Sequence, residues 1–250
     1  MSTVYEYITK AQTNNRHLFF LLIDPGDAET NAVSDLVAAA TENGVDGFLV
    51  GGSLVTREKV AESVQLVKKS TDRPVVLFPG AAQHVVPEAD AILFLSLLSG
   101  RNPDYLIGQH IQAAPVIRDY DLEAIPTAYL LVESGGMTSV EFISATRPLP
   151  RNNMDIAVAH ALAARYLGMK LVYLEAGSGA RMPVPDEMIE AVAQQCHLPL
   201  IVGGGLTGVR EAAAKARAGA TVVVAGNHFE QKRALKELRD FADSIHAVGH

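Results

Sequence analysis

The sequence predicts a single (β/α)8 barrel, a TIM barrel, that spans residues 1–250. Eight short apolar runs recur along the chain, and most of them are followed by a segment with helical periodicity. The runs are almost continuously apolar, which is typical of parallel strands that are buried on both faces. No linker or shift in composition divides the 250 residues, a length that suits one barrel better than two smaller domains. An open, doubly wound parallel sheet is the alternative.

The apolar runs give the strands in chain order. They are His17–Asp24, Gly47–Val50, Val75–Phe78, Ala91–Leu95, Ala124–Val132, Lys170–Leu174, Leu198–Val202 and Thr221–Ala225. The segments between them carry one apolar stripe each; Val33, Leu36 and Ala40, for example, fall on one helical face. A short helix Val4–Gln12 is predicted before the first strand, and a closing helix Glu230–His246 after the last.

Two βα units depart from the regular pattern. Only about a dozen residues, 79–90, separate the third and fourth strands, too few for a helix that packs across the sheet. The fifth strand is followed by a long loop, Glu133–Asn153, and loops of this length are usually functional. This loop leaves the C-terminal end of a strand, where barrels carry their active sites. Arg147 and Arg151 could bind a diphosphate there or could simply be solvated.

The composition argues against several classes of function. A net charge of −7 disfavours a large nucleic-acid surface and docking on anionic lipid. There is no apolar run long enough for a transmembrane helix, and the first residues lack the layout of a signal peptide, so we expect a cytoplasmic protein. Cys196, the one cysteine, is interpreted as a buried thiol in a reducing compartment.

The first two strands end in polar residues that are expected at one mouth of the barrel. Asp24 closes the first strand, and Ser53 follows the second after two glycines. Asp24 could instead cap the next helix or turn, and Ser53 could cap the helix that begins near Thr56. A carboxylate and a hydroxyl, completed by water and diphosphate oxygens, would make a Mg²⁺ site.

The last three strands predict a base and a phosphate site. Glu175 ends the sixth strand and precedes the small residues Ala176–Gly179, which places a candidate general base beside a flexible backbone. Gly203–Gly205 and Gly226-Asn227 follow the seventh and eighth strands, where barrels recurrently bind phosphate. A helix that starts near Asn227 is expected to add the positive end of its dipole. His84, His110, His160 and His197 lack metal-ligand spacing and are interpreted as core or surface residues.

With these residues identified, the chain resembles the geranylgeranylglyceryl phosphate synthase family of prenyltransferases. The motifs that carry the resemblance are LIDPGD (Leu22–Asp27), VGGS (Val50–Ser53), YLEAGSG (Tyr173–Gly179), IVGGG (Ile201–Gly205) and VAGN (Val224–Asn227). They occur in family order and span nearly the whole chain. Many relatives have a lysine before the DP motif where this chain has Ile23, a change seen in the second branch of the family (group II).

The resemblance implies a reaction and its site. It joins the 3-hydroxyl of sn-glycerol 1-phosphate to C1 of geranylgeranyl diphosphate, with Mg²⁺ held by Asp24 and Ser53 and with Glu175 nearest the reacting hydroxyl. The implied glycerol phosphate site comprises Tyr173, Leu174, Glu175, Ala176, Gly177, Ser178, Gly179, Gly203, Gly204, Gly205, Gly226 and Asn227. Candidates for the prenyl groove are Phe94, Leu95, Leu98, Tyr105 and Ile107, which could equally be ordinary core. The resemblance also implies a homo-oligomer, a dimer or a hexamer.

Two other functions are compatible with the pattern. A different phosphate-binding barrel, such as a sugar-phosphate isomerase or aldolase, should need a second acid or base, or a Schiff-base lysine, at a strand end, and no predicted strand ends in lysine. A non-enzymatic module that binds phosphate or prenyl lipids on a barrel scaffold would bind without turnover.

Overall fold

The computed structural model describes residues 3–25, 30–230 and 234–249, and its strands form a closed parallel barrel in the order of the sequence. The strands are β1 (Leu18–Ile23), β2 (Gly47–Val50), β3 (Val75–Leu77), β4 (Ala91–Leu97), β5 (Glu123–Leu131), β6 (Leu171–Glu175), β7 (Leu200–Gly203) and β8 (Val222–Ala225). The predicted (β/α)8 fold class is therefore confirmed, and the open sheet is not formed.

Most of the α-helices in the described part of the chain alternate with the strands on the outside of the barrel. The α-helices are α1 (Val4–Thr13), α2 (Thr30–Glu42), α3 (Arg57–Ser70), α4 (Gln109–Asp119), α5 (Ser139–Ser144), α6 (Met154–Tyr166), α7 (Asp186–Cys196), α8 (Val209–Arg217) and α9 (Leu238–His246). Cys196 is buried at the end of α7, and its thiol donates to the carbonyl oxygen of Ala161 at 3.2 Å, in line with the structural role predicted for it. None of the helices in the described part of the chain combines the length and apolar composition needed to cross a bilayer.

Alternating side chains of the strands build two apolar cores. Phe19, Phe48 and Leu174 point outward and pack against the helices, whereas Phe20 and Tyr173 point into the barrel. The inward core is closed at the N-terminal end of the strands by α1, whose Val4, Ile8 and Ala11 pack onto it. Because that end is filled, the C-terminal end is where a cavity can open.

A carboxylate from β5 fixes α1 at this end. Glu123 accepts the backbone N–H groups of Val4 at 2.7 Å and Tyr5 at 3.0 Å. These are among the N–H groups that the first turn of a helix leaves without intrahelical partners, and a negative charge is favourable there.

Both irregular units occur where the sequence predicts them. A single 3-10 turn, Ala82–His84, replaces a helix between β3 and β4. The long loop after β5 is not entirely irregular, because it contains α5 and an isolated bridge between Val132 and Leu149. The predicted closing helix Glu230–His246 is too long: a 3-10 turn at Ala234–Glu237 precedes α9, and residues 231–233 lie outside the described residues.

Candidate active site

A cavity of about 800 Å³ opens at the C-terminal end of the barrel, and every strand or the loop after it contributes to the wall. The strand register places the ends of neighbouring strands side by side. Ile23, just before Asp24, pairs with Val50, and Glu175 pairs with Gly203. Asp24, Ser53 and Glu175, which the sequence placed on three different strands, therefore share this one cavity.

Glu175 is the buried acid of the cavity, with only 5% of its surface exposed. Its Oε1 accepts the backbone N–H of Gly177 at 2.6 Å. Burial raises the pKa of Glu175 to about 7, and the Gly177 N–H and the Tyr173 hydroxyl offset part of that rise by favouring the charged form. The carboxyl group thus titrates near neutral pH, as a general base requires.

Two tyrosines surround this acid, and only one of them belongs to a motif. Tyr129 and Tyr173 are paired in register on β5 and β6, with ring centroids 5.5 Å apart. Burial and the adjacent Glu175 raise the pKa of both well above the usual range, so both stay neutral. The Tyr173 hydroxyl lies near Glu175 and affects its pKa, but its buried oxygen makes no hydrogen bond with the described residues. Tyr129 was missed because it lies inside an apolar strand with no polar motif around it.

Gly204 brings the loops after β6 and β7 together. It has a φ of +86°, and a Cβ atom there would lie 2.7 Å from the nitrogen of Gly177 and 2.9 Å from that of Ala176. Such distances are shorter than van der Waals contact, so only glycine fits at this position. Together with Ser178, Gly179, Gly205 and Gly226, it forms a wall made largely of backbone.

Five of the predicted phosphate-site residues contribute differently from the rest. Gly177 and Gly203 do not line the cavity, and the N–H of Gly177 is donated to Glu175. The side chains of Leu174 and Ala176 belong to the outer core, so only their backbone atoms are available to a ligand. Asn227 begins a 3-10 helix of four residues, and its side chain lies outside the described part of the structure. The expectation of a helix dipole there was wrong, because one short turn aligns too few peptide groups.

Asp24 and Ser53 lie on the opposite side of the cavity. A Cβ atom at Gly52 would be 3.0 Å from Oδ1 and 3.3 Å from Oδ2 of Asp24, so this carboxylate lies against the backbone just before Ser53. Thr56, rather than Ser53, caps α3, which removes the capping alternative for Ser53. Asp24 precedes the start of α2 by too many residues to be its N-cap.

The oxygen atoms of Asp24 and Ser53 suit a hard cation whose remaining ligands are water and phosphate oxygens. A carboxylate and a hydroxyl supply two oxygen donors, and Mg²⁺ typically combines one or two protein oxygens with water and phosphate oxygens. Among the described residues there is no cluster of three or more histidine, cysteine, aspartate or glutamate side chains that could enclose a metal by itself.

An apolar wall extends from the acid towards α4. Phe94, Leu95 and Tyr105 line it as predicted, and Leu97 and Ala113 join them. The other two predicted groove residues are elsewhere: Leu98 packs against the outer core, and Ile107 is 55% exposed.

The remaining polar candidates form hydrogen bonds within the protein. His84 is a buried histidine whose Nδ1 accepts the Gly80 N–H at 3.1 Å and whose Nε2 lies 3.0 Å from the carbonyl oxygen of Val55. His110 contacts the Ser96 hydroxyl at 3.0 Å. The guanidinium of Arg151 donates to the carbonyl oxygens of Glu133 and Pro183. In the described part of the wall there is no lysine or arginine.

Comparison with known proteins finds one family that matches nearly the whole chain. The model of the PcrB family matches residues 10–245. The geranylgeranylglyceryl phosphate synthase of Spirosoma linguale is 47% identical over 93% of this chain and 95% of its own length. The protein of that name from Korarchaeum cryptofilum is 43% identical over 92% of this chain and 95% of its own.

Comparison with solved structures also finds geranylgeranylglyceryl phosphate synthases. The (S)-3-O-geranylgeranylglyceryl phosphate synthase of Thermoplasma acidophilum, in complex with its substrate sn-glycerol-1-phosphate, superposes with a TM-score of 0.94 at 35% identity. That match covers 99% of this chain and 100% of the other. Thiamine phosphate pyrophosphorylase from Pyrococcus furiosus, at 13% identity and a TM-score of 0.58, shares only the barrel.

Proposed function

Since this chain belongs to the PcrB family of enzymes, we propose that it joins the 3-hydroxyl of sn-glycerol 1-phosphate to C1 of geranylgeranyl diphosphate, with Mg²⁺ as cofactor. Relatives that are named geranylgeranylglyceryl phosphate synthase, one of them bound to sn-glycerol-1-phosphate, support this reaction. An ether bond forms between O3 and C1, the bond from C1 to the diphosphate oxygen breaks, and the hydroxyl proton has to be accepted.

The observation that carries the proposal is the position of Glu175 between a backbone-lined wall and an apolar wall of one cavity. With a pKa of about 7, its carboxylate accepts the hydroxyl proton as the ether bond forms. Holding both substrates in line in one cavity supplies much of the remaining rate enhancement.

Each substrate has a matching part of the wall. The phosphate of sn-glycerol 1-phosphate binds to N–H groups of the loops after β6, β7 and β8, which include those of Ser178, Gly179, Gly204 and Gly205. The N–H of Gly177 is donated to Glu175 instead. Asp24 and Ser53 hold the metal on the diphosphate side; when bound, Mg²⁺ neutralises the charge that develops on the leaving group. The prenyl chain lies along Phe94, Leu95 and Tyr105, where its burial is favourable.

The proposed function is tested by incubating the protein with Mg²⁺, radiolabelled sn-glycerol 1-phosphate and geranylgeranyl diphosphate. We expect label in the organic phase and release of one diphosphate per ether bond. If both substrates bind but no label is extracted, the chain is a binding module and the proposal fails. The aldolase alternative has little support, because no lysine lies at the end of a described strand.

The apolar wall predicts the preference for prenyl length. Replacing Ala113 with phenylalanine adds volume to this wall, and we expect turnover of geranylgeranyl diphosphate to fall about tenfold more than turnover of geranyl diphosphate. The KM for sn-glycerol 1-phosphate, which binds on the other side, is the internal control. Equal losses with both donors would place the prenyl chain elsewhere.

We further propose that the protein is a cytoplasmic homo-oligomer, a dimer or a hexamer. The family resemblance supports this assembly, and light scattering at several protein concentrations tests it. A monomer at every concentration would contradict it.

A further inference from the structure

Lys215 is a buried cation that does not belong to the cavity wall. It lies on α8 with 4% of its surface exposed, and its Nζ donates to the carbonyl oxygen of Val184 at 2.7 Å and to Oδ1 of Asp186 at 2.6 Å. Burying an ammonium group is unfavourable unless it is paired and hydrogen-bonded. Both partners come from one segment, the end of the β6–α7 loop and the first residue of α7, so Lys215 ties that segment to α8.

The β6–α7 loop, residues 176–185, has its other end at the proposed phosphate site. Ser178 and Gly179 line the cavity, whereas Val184 is fully buried and does not. A Cβ atom at Gly205 would lie 3.1 Å from the carbonyl oxygen of Ala180 and 3.3 Å from the nitrogen of Pro183, so the β7–α8 loop packs tightly against the middle of this loop. The path of the loop is therefore defined along its length, with Lys215 at its C-terminal end.

The position of this loop matters because no lysine or arginine lines the described cavity. A phosphate held by backbone N–H groups requires them at hydrogen-bond distances, and a shift of a few tenths of an ångström weakens each bond. We propose that Lys215 is a positioning residue, which holds the β6–α7 loop so that its N–H groups meet the phosphate of the hydroxyl substrate. This inference rests on the proposed function, since it assigns the phosphate to that loop.

A purely structural role for Lys215 makes a different prediction. Losing a structural ion pair lowers Tm and the fraction of folded enzyme, but the enzyme that remains folded keeps its KM. The Lys68–Asp90 pair is the control for the loss of an ion pair: its N–O distance is also 2.6 Å, although Lys68 is more exposed than Lys215. Lys68 lies on α3 and Asp90 just before β4, at the end of the barrel opposite the cavity.

The test compares Lys215→Met with Lys68→Met by steady-state kinetics, and by calorimetric titration with inorganic phosphate. For Lys215→Met we expect the KM for sn-glycerol 1-phosphate and the Kd for phosphate to rise about tenfold, with kcat and the KM for the prenyl diphosphate within about twofold of wild type. Lys68→Met should leave all four values unchanged. An unchanged KM and Kd in Lys215→Met, or equal rises in Lys68→Met, would overturn the inference.

Asp186→Ala provides a second variant in case Lys215→Met does not fold. It removes one of the two partners of Lys215 from a half-exposed position, and we expect a smaller rise in the same KM and Kd. In the double variant the rise should match that of Lys215→Met alone, because the two residues act as one unit. Additive rises would contradict this coupling. A wild-type protein without turnover would refute the proposed function, and the phosphate titration would still decide the role of Lys215.

Discussion

Replacing Glu175 with glutamine is expected to lower kcat by about 10²- to 10⁴-fold, the usual contribution of a general base. Glutamine has nearly the same shape and still offers an oxygen to the Gly177 N–H, but it does not accept the hydroxyl proton. Binding of sn-glycerol 1-phosphate, measured by calorimetry, should change only a few-fold. Full activity in this variant would remove Glu175 from the reaction.

The pKa of Glu175 gives this prediction a pH dependence. A base works in its deprotonated form, so kcat/KM of the wild-type enzyme should rise with pH and level off above about 7. The residual activity of Glu175→Gln should lack this rise. A wild-type profile that is flat between pH 5 and 9 would be inconsistent with Glu175 as the base.

The same substitution should make the protein more stable at alkaline pH. Burial raises the pKa of Glu175 from 4.5 to about 7 in the folded state, so the native protein binds more protons than the unfolded chain in this interval. Wild-type stability therefore falls as pH rises from 4.5 to 7, by on the order of 3 kcal/mol, and the glutamine variant avoids this loss. Tm should be higher for the variant at pH 8 and similar at pH 4.5. Glu133→Gln, an exposed residue just beyond β5, is the control and should not change Tm at either pH.

Much of the barrel and of the cavity could be predicted because both follow from local pattern. Strands buried on both faces have continuous apolar runs, and the residue that follows such a run must lie at the mouth. That logic placed Asp24, Ser53 and Glu175 in one cavity from residues far apart in sequence.

The features that could not be predicted depend on contacts between distant segments or on local changes of helical phase. Lys215 gives no signal in sequence, because its partners Val184 and Asp186 lie 31 and 29 residues earlier in the chain, before β7. Ile107 was assigned to the groove, but residues Asp104–Gly108 form a π-helical turn that shifts side-chain directions from the regular helical period. The pKa of Glu175 likewise arises from burial among residues of several strands.

Asp24→Asn is the second substitution with a large expected effect, because it tests the metal site without changing the size of the side chain. We expect turnover at saturating Mg²⁺ to fall on the order of 10³-fold, since charge neutralisation of the leaving diphosphate is worth several kcal/mol. Asp119→Asn, which makes the same charge change at an exposed position at the end of α4, should keep full activity.

Activity alone does not separate metal binding from other roles of Asp24, so the decisive measurement is the affinity for Mn²⁺ in the presence of inorganic diphosphate. Only two protein oxygens are proposed as ligands, so removing the negative one should weaken Mn²⁺ binding about tenfold or more. Ser53→Ala, which removes the neutral ligand, should weaken it less, because a water molecule can take the place of the hydroxyl. If Asp24→Asn binds Mn²⁺ like the wild type and remains active with Mg²⁺, the cation does not bind between Asp24 and Ser53. The backbone-lined wall around Gly204 and the loops after β6 and β8 would then be the remaining place for the diphosphate, in competition with the phosphate of the other substrate.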